Sequence, residues 1–376
     1  MDGDVDLDWR EIVDKYNISC AVDTLRKASN SPFGGRFRSK YIANTLIGQD
    51  NGTDAYLKEL DDKKRELERE TIKFRDERNA WRKQNYIDAR VEQKLNKLET
   101  ELLNLSVINF SEHKPVDISS NNDILVILSD LHIGSCFSSN FGEYNTEIAK
   151  HRLQKLLDEI ISIQKLHNSE KCYVSVQGDL INGSIHKTIQ VTNRENVIEQ
   201  IKIATELISS FCYKLSKYFG VVFMSNASGN HSRIDRKEDA LHDERLDDII
   251  SWAVGLSLNN IENFHILNRN IDTGIVDLNI RGKTYIAVHG DYDPYNKSGV
   301  SNLCMMLGFI PYAILFGHLH TCSIAEINGV KMVRGGSLAG SGDNYTIEKR
   351  LSGTPSQMVC VCTEKGIKSC YPIELI

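Results

Sequence analysis

Five short blocks carry most of the metal-ligating side chains of this chain: Asp130-Leu131-His132, Gly178-Asp179, Gly229-Asn230-His231, His289-Gly290-Asp291 and Gly317-His318-Leu319-His320. Each closes an apolar, strand-like run, at 124–129, 173–177, 221–225, 285–288 and 313–316. Strands that stop together at one rim of a sheet would gather these groups. Carboxylate, amide and imidazole donors in one place suit two hard or borderline divalent cations. Asp179 has two oxygens and could bridge ions about 4 Å apart. Asn230 offers a neutral oxygen, and His289, His318 and His320 offer nitrogens. A hydroxide held between two such ions would be an in-line nucleophile at phosphorus, with the cations neutralising the charge that develops. His231, beside Asn230, is left over to protonate the leaving oxygen.

The elements that must position these blocks follow from periodicity. From residue 121 onward, strand-like runs alternate with helical ones at 151–164, 196–215 and 244–258, the β-α-β order of a layered α/β fold. After Phe264 strands dominate, at 264–267, 274–280, 285–289, 314–316, 323–327, 331–334 and 357–363. Asn328-Gly329 reads as a tight hairpin turn. Cys360 and Cys362 flank Val361 and would face one side of a strand, toward a core.

The order Asp-x-His, Gly-Asp, Gly-Asn-His, His, Gly-His-x-His resembles the calcineurin-like metallophosphoesterase superfamily, and Gly335-Gly336-Ser337 resembles the loop that follows its last block. The resemblance implies a two-sheet α/β/β/α sandwich with metals at the rim. It implies that Asp130, His132, Asp179 and His320 hold a first metal, that Asp179, Asn230, His289 and His318 hold a second, and that His231 contacts or protonates the phosphate. It favours Mn²⁺; Fe and Zn²⁺ suit the same thiolate-free donors.

Other residues near the blocks have two readings. Asp291 and Asp293 could extend the site, but after His289-Gly290 they are expected to shape the turn before Pro294. His186 and His242 either touch substrate or sit on surface loops. Arg233 either clamps a phosphate oxygen with its planar fork or is solvated or ion-paired. The polar stretch 336–352 is either a substrate-facing loop or a connector.

At 376 residues the chain is long enough for two or three units, expected at 1–50, 51–115 and 116–376. No run approaches the ~20 apolar residues that span a bilayer. The acidic start is unlike a secretory signal, and nine scattered cysteines form no disulfide framework, so a cytoplasmic, prokaryotic or phage-encoded protein is expected. In the first unit, segments 9–16 and 21–28 resemble a helix-turn-helix. Residues 24–49 carry Arg26, Lys27, Arg36, Arg38 and Lys40 with no acidic residue, which points to DNA as partner; a small trihelical interaction module is the alternative. A net charge of −6 confines any such contact to patches. Residues 54–105 read as a helical arm. Val91, Leu95, Leu98, Leu102 and Leu105 keep coiled-coil spacing, which fits a homodimer or a helix packed on its own catalytic domain.

Together these features suggest a DNA phosphodiesterase resembling SbcD-like and phage-encoded nuclease members. The alternative is a phosphatase or phosphodiesterase for small molecules or phosphoproteins, with the N-terminal region serving assembly. Nuclease members commonly carry a histidine three positions after the Gly-Asp aspartate. Asn182 stands there in this chain, and His186 is the nearest substitute.

Overall fold

The computed structural model describes residues 9–15, 21–29, 59, 61–78, 110–185, 192–235, 237, 240–267 and 271–376. The chain divides into two compact units, 1–102 and 103–376.

In the first unit, α1 (Trp9–Lys15) and α2 (Val22–Ser29) touch one another, and residues 61–78 form a third helix, α3. Every described residue of α3 is exposed, Leu67 and Phe74 included, and it carries i,i+4 ion pairs such as Lys63 to Glu59 at 2.8 Å. The coiled-coil seam at 91–105, most of the basic segment 24–49 and His186 lie outside the described residues.

The second unit is the α/β/β/α sandwich expected from the sequence. One sheet runs β13 (Gly366–Glu374), β12 (Ser356–Thr363), β1 (Asp123–Leu128), β4 (Lys171–Val176), β5 (Val221–Asn226), β6 (Phe264–Ile266). The other runs β10 (Ser323–Ile327), β11 (Val330–Arg334), β9 (Ala313–Phe316), β8 (Lys283–Val288), β7 (Ile275–Ile280), and β2 (Phe137–Ser139) pairs with β3 (Gly142–Tyr144) in a small hairpin. The site-bearing strands are β1, β4 and β5 in the first sheet, and β8 and β9 in the second. Within each sheet these strands are parallel neighbours, so their C-terminal ends share a rim. Parallel strands covered on both faces must be apolar throughout, and Asp123–Leu128 is buried at every position.

Alternation along the strands divides the core. Leu125, Ile127, Tyr285, Ala287, Leu315 and Met358 fill the space between the sheets, with Cys360 and Cys362 side by side among them. Ile286, Val288, Ile314 and Phe316 point the other way, onto α7 (Lys297–Leu307) through Val300 and Leu303. On the first sheet's outer side lie α4 (Thr146–His167), α5 (Val197–Ser216) and α6 (Leu246–Ser257). Asn145 caps α4 by accepting from the Glu147 and Ile148 amides, and Asn196 does the same for α5 with Ile198 and Glu199. Asn328 and Gly329 both have positive φ, 51° and 81°, as a two-residue turn between β10 (Ser323–Ile327) and β11 (Val330–Arg334) requires. The polar stretch after Gly336 contains a short helix, α8 (Asn344–Lys349), capped by Asp343. Residues 110–113 lie against α5: Phe110 meets the Tyr213 ring at 4.5 Å and His113 Nε2 reaches Ser216 Oγ at 3.2 Å. Among the described residues, no helix is long and apolar enough to cross a membrane.

Candidate metal centre

Each block begins where a strand ends, and the backbone there leaves regular geometry. Asp130, His132, Asp179, His318 and His320 all have φ between 48° and 64°. Side-chain-bearing residues avoid this left-handed region, and such outliers gather at functional sites. Here the sharp turns fold five donors inward over the rim instead of letting the loops run on. Two loops also come into near contact. A Cβ on Gly178 would lie 2.3 Å from the Gly229 amide nitrogen, and one on Gly229 would lie 2.2 Å from Asp179 Oδ1. Glycine is the residue that fits at both positions.

The seven sequence-derived donors come together. On one side, His320 Nε2 is 3.3 Å from Asp130 Oδ1 and 3.1 Å from His132 Nε2. On the other, His289 Nε2 is 3.2 Å from Asp179 Oδ2, 3.1 Å from Asn230 Oδ1 and 3.2 Å from His318 Nδ1. Three groups, Asp130-His132-His320, His132-Asp179-His231 and Asp179-His289-His318, each place one ligand atom per residue within 4.8 Å of the others. Asp179 belongs to two of them and is the carboxylate common to both sides.

The donors fit divalent cations. Asp130 Oδ1 and His132 Nδ1 are buried and have no hydrogen-bond partner. Paired imidazole nitrogens aimed at one another around two buried carboxylates are stable only if something positive is shared among them. The set is oxygen and imidazole without thiolate, which suits Mn²⁺, Fe or Zn²⁺.

Electrostatics within the cluster follow from burial and pairing. Burial alone would favour neutral Asp179, but His289 and His231 hold its carboxyl well below the ordinary range. Burial opposes charge on His289, yet the Asp179 carboxylate beside it raises the imidazole to about 10. His132 goes the opposite way, to about 3, through burial and then the neighbouring His231 and His320.

His231 differs from the ligands. Its amide donates to Asp179 Oδ1 at 2.8 Å and its Nδ1 lies 2.8 Å from the Asn182 carbonyl. That carbonyl assigns the Nδ1 proton and leaves Nε2 available. Asn182, which departs from the nuclease pattern, therefore positions His231 through its backbone, while its side chain bonds Asn193 at 2.7 Å.

Arg233 takes the ion-paired alternative: its Nη2 donates to Asp291, and its guanidinium lies 5.5 Å from the Tyr292 ring centre. Asp291 is thus part of the site wall and not merely a turn residue. His242 pairs with Asp272 at 2.8 Å. Ser337 Oγ donates to the Asp130 carbonyl at 3.0 Å, so the Gly335-Gly336-Ser337 loop braces the first block.

One residue had no sequence signal of its own. Asp247, fully buried in the first turn of α6, accepts from the amides of Gly229 at 3.0 Å, Asp179 at 3.2 Å and Leu180 at 3.3 Å. It ties the Gly-Asp loop to the Gly-Asn-His loop. Burial and then the Asp179 charge push its carboxyl up to about 7. In sequence it looks like the ordinary acidic bias of a helix start.

No family model matches the chain. It is similar to the SPbeta prophage-derived uncharacterized protein YonJ of Bacillus subtilis (strain 168), with 21% identity over 350 residues, covering 90% of this chain and 85% of that protein. Among solved structures it is similar to zinc-complexed Vps29 from Entamoeba histolytica (12% identity, 67% of this chain, 99% of that one, TM-score 0.32). It is likewise similar to a novel archaeal phosphodiesterase (14% identity, 67% and 99%, TM-score 0.33) and to vacuolar protein sorting 29 from Cryptosporidium parvum (12% identity, 69% and 100%, TM-score 0.34). Likenesses of this size leave the site's own residues to carry the function.

Proposed function

We propose that the protein is a divalent-metal-dependent phosphoester hydrolase of the calcineurin-like type, acting on DNA phosphodiesters. The observation that carries hydrolysis is the convergence of seven oxygen and imidazole donors around the buried carboxylates of Asp130 and Asp179, with His231 Nε2 left over beside them. Asp130, His132, Asp179 and His320 would hold one ion, and Asp179, Asn230, His289 and His318 the other; Mn²⁺ is favoured. Cations there would activate water and neutralise charge on the phosphoryl oxygens.

The chain's own residues supply the remaining steps. Asn182 O keeps the Nδ1 proton of His231 in place. A protonated His231 then gives its Nε2 proton to the departing ester oxygen and is left neutral. Arg233, two residues farther on, is ion-paired with Asp291 and reaches the Tyr292 hydroxyl, so it would brace that wall instead of clamping phosphate.

DNA as substrate class is supported by the basic, acid-free segment 24–49 preceding the arm. Likeness to a prophage-encoded protein is in keeping with a cytoplasmic role in a bacterium or phage. A second reading, a phosphodiesterase or phosphatase for small molecules, is favoured by a concave cavity beside His289. The test is to load the full chain with Mn²⁺ and offer single- and double-stranded DNA, a generic phosphodiester and a phosphomonoester. His231→Ala, which spares the metal ligands, is the control. DNA cleavage abolished in that variant is the expected result; monoester cleavage with DNA left intact would overturn the DNA reading.

A further inference from the structure

A cavity of about 530 Å³ opens from the second half of the metal centre, sharing His289 as a wall. Its size is in the range of small-molecule pockets. Leu303, Met306 and Leu307, spaced to lie on one face of α7, line it together with Ile271. Met306 is 65% exposed and Ile271 41%, an apolar surface left open to water directly beside a hydrolytic site.

The polar groups around the cavity describe its occupant. Its cations are already engaged: Arg245 Nη1 donates to the Leu241 and Glu244 carbonyls, and His242 faces Asp272. Arg233, behind the cavity's Asp291, is held by that carboxylate. What the lining offers instead is the Asp293 carboxylate as acceptor and the Asn302 amide, whose oxygen accepts and whose NH₂ donates. Asp293 is half-buried at the cavity wall. Among the described residues, a second phosphate would find carboxylates there and no free cation. A flat, uncharged ring with N–H donors on its edge would find an apolar wall for its face and oxygens for its edge.

We propose that this cavity receives a nucleobase attached to the scissile phosphoester. The proposal builds on the hydrolase reading above and narrows its substrate to nucleotidyl esters. The base could belong to the end of a DNA strand or to a free nucleotide; the chemistry of recognition is the same.

The test is equilibrium binding, read by calorimetry, of deoxyguanosine 5′-monophosphate and of deoxyribose 5-phosphate to the Mn²⁺-loaded full chain. The two ligands share the phosphate and the sugar, and an anomeric hydroxyl stands in the second where the first carries the base. The nucleotide is expected to bind about tenfold tighter or more, from burying one face of the ring against aliphatic side chains. Met306→Glu, an exposed substitution outside the metal centre, should bring the nucleotide to the level of the sugar phosphate and leave the sugar phosphate unchanged. Asp293→Ala should lower the same preference. An oligonucleotide that competes better than its abasic-ended counterpart assigns the base to a DNA end, and competition by the mononucleotide alone assigns it to free nucleotides. Equal binding of the two ligands by the wild-type chain, or a base preference that survives Met306→Glu, overturns the proposal. A base preference without hydrolysis of any ester would instead sink the hydrolase reading and leave the cavity standing.

Discussion

Two buried aspartates bracket strand β1, and their surroundings differ. Asp123, at the strand's start, is 1% exposed and fully paired: Arg281 reaches both its oxygens at 2.8 Å, while also bonding Glu170 at 2.9 Å and the Ser120 carbonyl at 2.8 Å. Asp130, just past the strand's end, is 0% exposed and has one oxygen without a hydrogen-bond partner, in a residue whose own φ is 54°. The same side chain on the same strand is satisfied at one rim and left unsatisfied at the other. The satisfied rim maintains the fold. The unsatisfied rim stores strain and charge for a ligand, as functional sites do at the expense of stability.

The largest expected effect breaks the unsatisfied rim. Asp179→Asn removes the charge common to both sides of the site and keeps an oxygen for the His231 amide. Hydrolysis of a generic phosphodiester should fall by roughly 10³-fold, on the order of 4 kcal/mol of barrier. The metal-free chain also loses the Asp179–His289 pair, so its melting temperature should fall, by less than in Arg281→Met because His289 can shed its proton. A fall as large as that one, with activity intact, would erase the distinction between the rims. Arg281→Met tests the other one. It strands Asp123 without its cation, which typically costs about 3–5 kcal/mol, or roughly 6–15 °C in Tm for a unit of this size. Metal binding by the protein that remains folded should be unchanged.

Adding Mn²⁺ should then act on one rim alone. At about 100 times Kd it should stabilise the chain by roughly 2.7 kcal/mol, and this increment should survive Arg281→Met and shrink in Asp130→Asn. Its pH dependence has a definite sign. The metal-free site holds a proton on His289, raised to about 10 by Asp179 despite burial, and a ligand nitrogen must lose that proton. Affinity should therefore rise as pH rises toward 10 and weaken as it falls, with proton release visible in calorimetry across buffers of different ionisation enthalpy. An affinity independent of pH would show that His289 is no ligand.

The rim's chemistry was legible in sequence because ligand types and strand ends are local properties: Asp130, His132, Asp179, Asn230, His289, His318 and His320 each follow an apolar run that is a strand. Their left-handed backbones were not, since φ there is imposed by the loops packing on one another. Helix α7 was missed because Lys297–Leu307 carries no charge pattern, only a glycine, serines and a late apolar cluster. Asp291 reads as a turn residue until Arg233, 58 positions away, is seen against it. The Arg281 network escaped for the same reason, as its partners Asp123 and Glu170 are distant in the chain and unremarkable in type.

Asp247 sharpens the comparison, because it is a satisfied carboxylate serving the unsatisfied rim. Three amides from the two loops that carry Asp179 and Asn230 converge on it, so its contribution is to the geometry of those two side chains and not to the reacting atoms. Asp247→Asn sets an NH₂ group against N–H donors and should loosen the two loops. Outer supports of this kind are commonly worth about 10–100-fold in metal affinity. The apparent Mn²⁺ requirement should rise by that factor while kcat at saturating Mn²⁺ returns to within a few-fold of the wild type, and Asp247→Glu should recover part of the affinity. A kcat that saturating metal cannot restore, in a variant that melts normally, would place Asp247 among the groups that act on the substrate and remove it from those that only hold the rim in shape.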